Sequence, residues 1–239
     1  MSDLFLSDLH LCSDRPDITR QFERFLDGVA RQAKNIYILG DLFEYWAGDD
    51  DIGDPFNRQV ASALADCSRY TRIFLMHGNR DFLIGEDFAR TAGLTLIKDP
   101  IVISICERRT LLMHGDTLCT DDIDYQRFRK DVRSPAWASQ FMALPLAERK
   151  RQIEALRAQS QRQKDIKHAA IMDVNAAAVT ATFRKYELTQ MIHGHTHLPA
   201  YHPHDVDGHI CERWVLADWY KTGSYLECDA KGCRSIALA

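Results

Sequence analysis

Leu4-Phe5-Leu6-Ser7-Asp8-Leu9-His10 decides the reading of this chain, as a short apolar run that stops on Asp-x-His. The same event recurs downstream. Residues 35–39 close on Gly40-Asp41, and residues 73–76 on Gly78-Asn79-Arg80-Asp81. Residues 110–113 close on His114-Gly115-Asp116, and residues 190–192 on Gly194-His195-Thr196-His197. Short apolar runs bounded by glycine and polar residues are expected to be buried strands, so each polar cluster falls at a strand's carboxyl end, where open α/β sheets carry their sites.

Between the first three runs the apolar period changes to that of a helix. Phe22, Phe25, Leu26, Val29, Ala30 and Ala33 share one face, as do Phe56, Val60, Ala63, Leu64 and Cys67, which follow an Asp54-Pro55 helix start. Beyond residue 93 the strands come closer together: 94–97, 100–105 and 110–113, then 190–192, 214–217, 225–228 and 235–238. The expectation is an α/β chain with two sheets packed face to face and helices outside.

Residues 121–170 differ from the rest. They read as helix and carry 11 Lys and Arg against 7 acids, a positive surplus inside a chain of net charge −4. This segment is expected to be a helical cap inserted into a core made of residues 1–120 and 171–239. Its Ser160, Lys164 and Lys167 fall at i, i+4 and i+7, one helical stripe suited to a diphosphate. Asp122 and Tyr125 are placed to approach the same pocket. Phe128, Trp137, Phe141, Met142, Leu144, Leu146, Ile153 and Leu156 are expected first as a small core between cap helices, and some of them, with Trp46, Phe82 and Leu83, as an apolar lining.

The clusters themselves are metal ligands by type. Two carboxylates (Asp8, Asp41), one amide oxygen (Asn79) and four imidazoles (His10, His114, His195, His197) suffice for two divalent ions sharing Asp41. In extended backbone, residues i and i+2 point the same way, so Asp8 with His10, and His195 with His197, would each face one ion. The mixture, without cysteine, favours Mn²⁺, then Fe, Zn or Mg²⁺. His77 and His193 are read as packing residues, and His168, His202, His204 and His209 as surface. The run Asp49-Asp50-Asp51-Ile52-Gly53-Asp54 lacks the alternation of a calcium loop and is expected to be a solvated loop ending in the Asp54 cap.

Bulk composition narrows the class. At 239 residues and 46% apolar content the chain can bury a sizeable core, and its negative charge argues against coating nucleic acid. Seven scattered cysteines without C-x-x-C suggest free thiols and a reducing compartment. No apolar run approaches a membrane span, and a cleaved leader is not expected, because cleavage would remove Asp8. No obligate protein partner is evident.

In this order, Asp-x-His, Gly-Asp, Gly-Asn, His and Gly-His-x-His resemble the calcineurin-like metallophosphoesterases, over the whole chain outside the insert. The resemblance implies a β-sandwich flanked by helices. It also implies one metal on Asp8, His10, Asp41 and His197 and a second on Asp41, Asn79, His114 and His195, with Asn79 and His195 beside the reacting phosphate. The chain departs from the family's usual Gly-Asn-His at Arg80. Arginine cannot donate its proton, so position 80 clamps charge instead, which suits a leaving group that is already a phosphate.

Gly-Asn-Arg-Asp, the insert and the chain length together resemble one branch, the UDP-2,3-diacylglucosamine diphosphatases of bacterial lipid A synthesis. That resemblance implies two Mn²⁺, a lipid-linked nucleotide substrate cleaved to UMP, and a peripheral position on the cytoplasmic face of the inner membrane. It assigns substrate contacts to Asn79, Arg80, Asp122, Tyr125, Ser160, Lys164, Lys167 and His195. The enzymatic rival is a phosphoesterase acting on another nucleotide diphosphate or a phosphodiester. A non-catalytic module of the same fold is less favoured, because the ligand set is complete.

Overall fold

The first apolar runs become strands buried on both faces. In the computed structural model, which describes residues 1–164 and 173–238 (side chains of 159–164 excepted), β1 is Asp3–Leu6, β2 is Asn35–Leu39 and β3 is Arg72–Met76. The three run parallel and in register, with Phe5 beside Tyr37 and Tyr37 beside Phe74. Their rings stack across the strands at 5.0 and 4.9 Å between centroids. Alternation sends Phe5, Tyr37 and Met76 to one face and Leu4, Leu6, Ile36, Ile38, Ile73 and Leu75 to the other.

The second face is covered by α1 (Pro16–Asp27), α2 (Pro55–Ser68) and α3 (Glu86–Ala92), through residues such as Phe22, Leu64 and Phe88. Asp54 caps α2 as expected, accepting from the Phe56 N–H at 2.9 Å. The helix expected to run through Ala33 stops earlier. Gly28 interrupts it, and Val29–Gln32 continue only as a 3-10 turn.

β4 (Thr95–Ile97) extends this sheet, and β10 (Ser224–Asp229) and β11 (Gly232–Ala237) close its other side, giving the order β11-β10-β1-β2-β3-β4. The second sheet holds β5 (Ile101–Ile105), β6 (Arg108–Leu112), β7 (Gln190–His193), β8 (Ala200–Val206) and β9 (His209–Val215) in the order β5-β6-β7-β9-β8. Ile105, Leu112 and Ile192 pack it against Phe5 and Met76, and α7 (Ala176–Tyr186) covers its outer face through Val179 and Phe183. The layers are therefore helix, sheet, sheet, helix.

Further readings of the sequence need correction. β8 was not expected, because an exposed edge strand carrying Pro203 has no apolar run to announce it, and its partner β9 runs over His209–Val215 where only 214–217 was expected. The free-thiol reading holds for Cys12, Cys67, Cys106, Cys119 and Cys211 and fails for two residues: Cys228 and Cys233 face each other across the β10–β11 hairpin, Cα atoms 4.1 Å apart, and are bonded. Antiparallel pairing opposes residues five apart, a geometry that cysteine count and spacing do not reveal.

Between β6 and β7 lie α4 (Ile123–Val132), α5 (Pro135–Met142) and α6 (Leu146–Lys164). Asp122 and Ser134 cap the first two, accepting from Tyr125 N–H and Trp137 N–H. Among the described residues no helix is long and apolar enough to cross a membrane.

Candidate metal centre

Pairing of β1 with β2 does not stop at the strand ends. Asp8 N–H donates to Gly40, His10 to Asp41, Leu11 to Leu42 and Glu44 to Leu11, at 2.9–3.0 Å. This zipper carries Asp8 and His10 alongside Asp41. The backbone that does so is not extended, which corrects the reason given for their convergence. Asp8, His10, Asp41, His195 and His197 all have positive φ (49–70°). They make up five of the nine non-glycine residues with positive φ among those described. Such conformations cost on the order of 1–3 kcal/mol each and persist where the surroundings enforce them.

The donor atoms form two adjoining groups. In one, Asp8 Oδ1 lies 3.4 Å from His197 Nε2, and His10 Nε2 lies 3.4 Å from His197 Nε2 and 3.8 Å from Asp41 Oδ2. In the other, Asn79 Oδ1 lies 3.0 Å from His114 Nε2 and 2.9 Å from His195 Nδ1, with Asp41 Oδ1 4.0 Å from His114 Nε2. Asp41 thus turns one oxygen to each group, the position of a bridging ligand. Ligand bonds of about 2.0–2.2 Å put neighbouring donors roughly 3–4 Å apart, so the groups fit two ions. Asp8 Oδ1 and His10 Nδ1 are buried without a hydrogen-bond partner, and a metal would satisfy the carboxylate oxygen.

The surroundings orient these ligands. His114 Nδ1 meets the Leu39 carbonyl at 2.9 Å, His10 Nδ1 faces Glu44 at 3.6 Å, and His197 Nδ1 faces Asp218 at 3.7 Å. The Leu39 carbonyl selects the His114 tautomer that ligates through Nε2, while Glu44 and Asp218 lie behind the other two rings beyond hydrogen-bond distance. Ser7 Oγ and His195 N–H donate to Asp8 Oδ2 at 2.6 and 2.8 Å. Gly78 and Gly194 allow the closest approaches, since a Cβ on either would overlap a carboxylate oxygen of Asp41 or Asp8.

Charge in the centre is unbalanced toward the anionic side. Burial, with Asp81 and Asp8 nearby, pushes Asp41 up to about 7. Burial opposes protonation of His114, but Asp41, Asp116, Asp8 and Asp99 together raise it to about 9. Burial and the neighbouring His114 push His195 down to about 3. Asp8 pays the burial penalty, yet His197, His114 and His10 hold it well below the usual carboxylate range. Buried carboxylates that must borrow protons from imidazoles are what a pair of divalent cations would neutralise.

A cavity of about 570 Å³ opens above this floor. Arg80, Asp122 and Tyr125 line it with His10, Asp41, Asn79, His195 and His197, whereas Asp8 and His114 are fully buried. Trp46, Phe82 and Leu83 from the core, and Phe128, Trp137, Phe141, Ile153 and Leu156 from the insert, form its apolar wall. Tyr125 donates to Asp116 at 2.7 Å and stacks on His195, ring centroids 5.8 Å apart. Asp122 serves as the α4 cap at the rim. The side chains of Ser160 and Lys164, and Lys167 entirely, lie outside the described residues.

Several residues near the centre escaped sequence reasoning. Asp116, inside the His-Gly-Asp cluster, is buried and accepts from Tyr125 and from Arg129 Nε at 2.6 Å, anchoring α4 to the loop after β6. The Asp49–Asp54 run is no solvated loop. Asp49 accepts three backbone N–H bonds at the start of α3, from Gly85, Asp87 and Phe88. Asp50 and Asp51 pair with Arg149 and Lys150 of α6, Arg149 itself being buried and bonded to the Ala47 carbonyl at 2.6 Å. Glu44, three residues past Asp41, binds Arg157 of α6 at 2.7 Å. Acids on the core loops thus hold bases on the insert, and only the charge surplus of residues 121–170 hinted at it.

Comparison with known proteins agrees with this geometry. Residues 1–199 match the model of the calcineurin-like phosphoesterase family. A UDP-2,3-diacylglucosamine hydrolase of Aromatoleum aromaticum is 54% identical, over 97% of this chain and 95% of its own. Proteins of the same description from Pseudomonas aeruginosa and Escherichia fergusonii are 50% identical, over 98% of both chains, and 48% identical, over 96% of both. By these matches the chain belongs to the calcineurin-like phosphoesterases and, within them, to the UDP-2,3-diacylglucosamine hydrolases.

Proposed function

We propose that the protein hydrolyses the diphosphate bridge of UDP-2,3-diacylglucosamine, with two Mn²⁺, to UMP and 2,3-diacylglucosamine 1-phosphate. The observation that carries this is one cavity whose floor is the metal centre with Arg80 and whose wall is apolar, contributed in part by the insert. A water-soluble nucleotide would need no such wall. Each buried acyl CH₂ contributes about 0.8 kcal/mol, so the wall supplies affinity while the floor supplies chemistry.

Asp8, His10, Asp41 and His197 would hold one ion, and Asp41, Asn79, His114 and His195 the other. Bound there, such ions would supply Lewis acidity for a water nucleophile and for the phosphate charge. Arg80 reaches the cavity with 16% of its side chain exposed and donates to phosphate oxygens as charge shifts to the leaving phosphate. No general acid is needed at position 80, because the last ionisation of a phosphate monoester lies near pH 6. Asn79, Asp122, Tyr125 and His195, with Ser160, Lys164 and Lys167, would contact the diphosphate and nucleotide. Residues 121–170 would act as a cap on a core of 1–120 and 171–239, with the cavity mouth at the cytoplasmic face of the inner membrane, where the lipid resides.

Incubation with UDP-2,3-diacylglucosamine and Mn²⁺ in ¹⁸O-water, followed by mass spectrometry, tests this reading. UMP carrying the label is the expected product. Release of UDP, or label in the sugar phosphate, would overturn it.

A further inference from the structure

Glu44 is buried at the edge of the metal centre and gathers cations from three separate parts of the chain. Its Oε2 accepts from Arg15 at 2.9 Å, and its Oε1 accepts from Arg157 at 2.7 Å and lies 3.7 Å from Arg80 Nη1. Arg15 immediately precedes α1, Arg80 follows β3, and Arg157 belongs to the insert helix α6. Within this cluster one carboxylate faces three guanidiniums, a local surplus of positive charge beside the anionic metal floor. Arg80, Arg157 and Glu44 all line the cavity. Arg15 is spent elsewhere, bonded to the His10 carbonyl and lying over the Tyr220 ring.

A free arginine side chain carries about 2 kcal/mol of rotamer entropy, and neighbouring guanidiniums repel in a low dielectric. A common counter-ion removes both obstacles. It also leaves the outer N–H groups of each guanidinium available for phosphate oxygens. The zipper between the loops after β1 and β2 fixes where that counter-ion sits, since the Glu44 N–H is itself bonded to Leu11.

We propose that Glu44 is a positioning residue: it aims Arg80 into the cavity and ties the insert, through Arg157, to the metal-bearing loops, so that diphosphate meets a preassembled cationic wall. This rests on the diphosphate reading above for its kinetic consequence but not for its structural one.

Two measurements on the full-length, metal-loaded protein test it. In arginine-labelled protein, Glu44→Gln should lower the Nε–Hε order parameters of Arg80 and Arg157 from the rigid range toward the flexible one, below about 0.6. Unchanged values overturn the proposal whatever the substrate is. In a double-mutant cycle on UDP-2,3-diacylglucosamine, Glu44→Gln should cost roughly 10–100-fold in kcat/KM in the native background and under about 3-fold beside Arg80→Ala. Metal content should stay at two ions per chain, and the variant should remain folded at the assay temperature although its Tm falls. Additive losses, or loss of metal in step with activity, would show Glu44 acting through His10 or through folding and would overturn it. If the native protein itself fails to turn over the lipid nucleotide, the proposed function falls, and the order parameters alone decide the role of Glu44.

Discussion

Replacing Asp81 by alanine should cripple a metal centre that Asp81 does not touch. Its carboxylate is fully buried; Oδ2 accepts from Leu42 N–H at 2.7 Å and Oδ1 from Gly78 N–H at 2.8 Å. Those donors flank Asp41 and Asn79, so one side chain fixes the loop after β2 against the loop after β3. Asp81→Ala strands two buried N–H groups, each costing about 1–3 kcal/mol, for an expected loss of roughly 2–6 kcal/mol. Asp81→Asn keeps one acceptor and turns an NH₂ group toward the other donor, so about half that loss is expected. Urea unfolding of chelator-treated protein isolates this effect, because metal binding would otherwise stabilise the native state by mass action. Activity in Mn²⁺ should fall on the order of 10²-fold, the scale of a misplacement near 1 Å. A loss under about 0.5 kcal/mol with full activity would refute the reasoning, since surface substitutions alone reach that size.

Further outcomes follow from the same geometry. Asp41→Ala should abolish hydrolysis and lower metal content at both sites, measured by elemental analysis, because each group loses its shared carboxylate. Arg80→Ala should cost about 10³-fold in kcat on the diphosphate, and Arg80→His should not recover it, since an imidazole cannot replace a bidentate clamp; recovery to native rates would contradict the clamp. His114, raised to about 9 without metal, must shed a proton when an ion binds below that pH. Metal affinity should therefore rise from pH 7 to 9, with proton release visible by calorimetry in buffers of different ionisation heat. Lys164→Ala or Lys167→Ala should lower kcat/KM on the lipid nucleotide about 10-fold, or ~1.4 kcal/mol, while a small chromogenic diester loses far less.

The amino-acid sequence by itself determined most of the strands, the order of the candidate ligands and the class of chemistry. Asp8, His10, Asp41, Asn79, His114, His195 and His197 could be named as candidate ligands because each sits beside a local signal, an apolar run ending in glycine or a turn. Ligand type is likewise a property of the residue alone. The Asp54 cap and the helical character of the insert were legible for the same reason, as local backbone chemistry.

What only the tertiary structure decided is what lies between segments. The convergence of Asp8 with His10 depends on positive φ imposed by the β1–β2 zipper, not on extended spacing. Edge strand β8 owes its form to pairing with β9, and the Cys228–Cys233 bond to hairpin register. The acidic run at residues 49–51 looked solvated until α3 and α6 were seen to dock on it. Glu44 carried no signal at all, because its three arginines come from positions 15, 80 and 157. Local free energies are written along the chain, whereas the pairing of buried charges is settled only when distant segments share one low-dielectric site and each must find its counter-ion there.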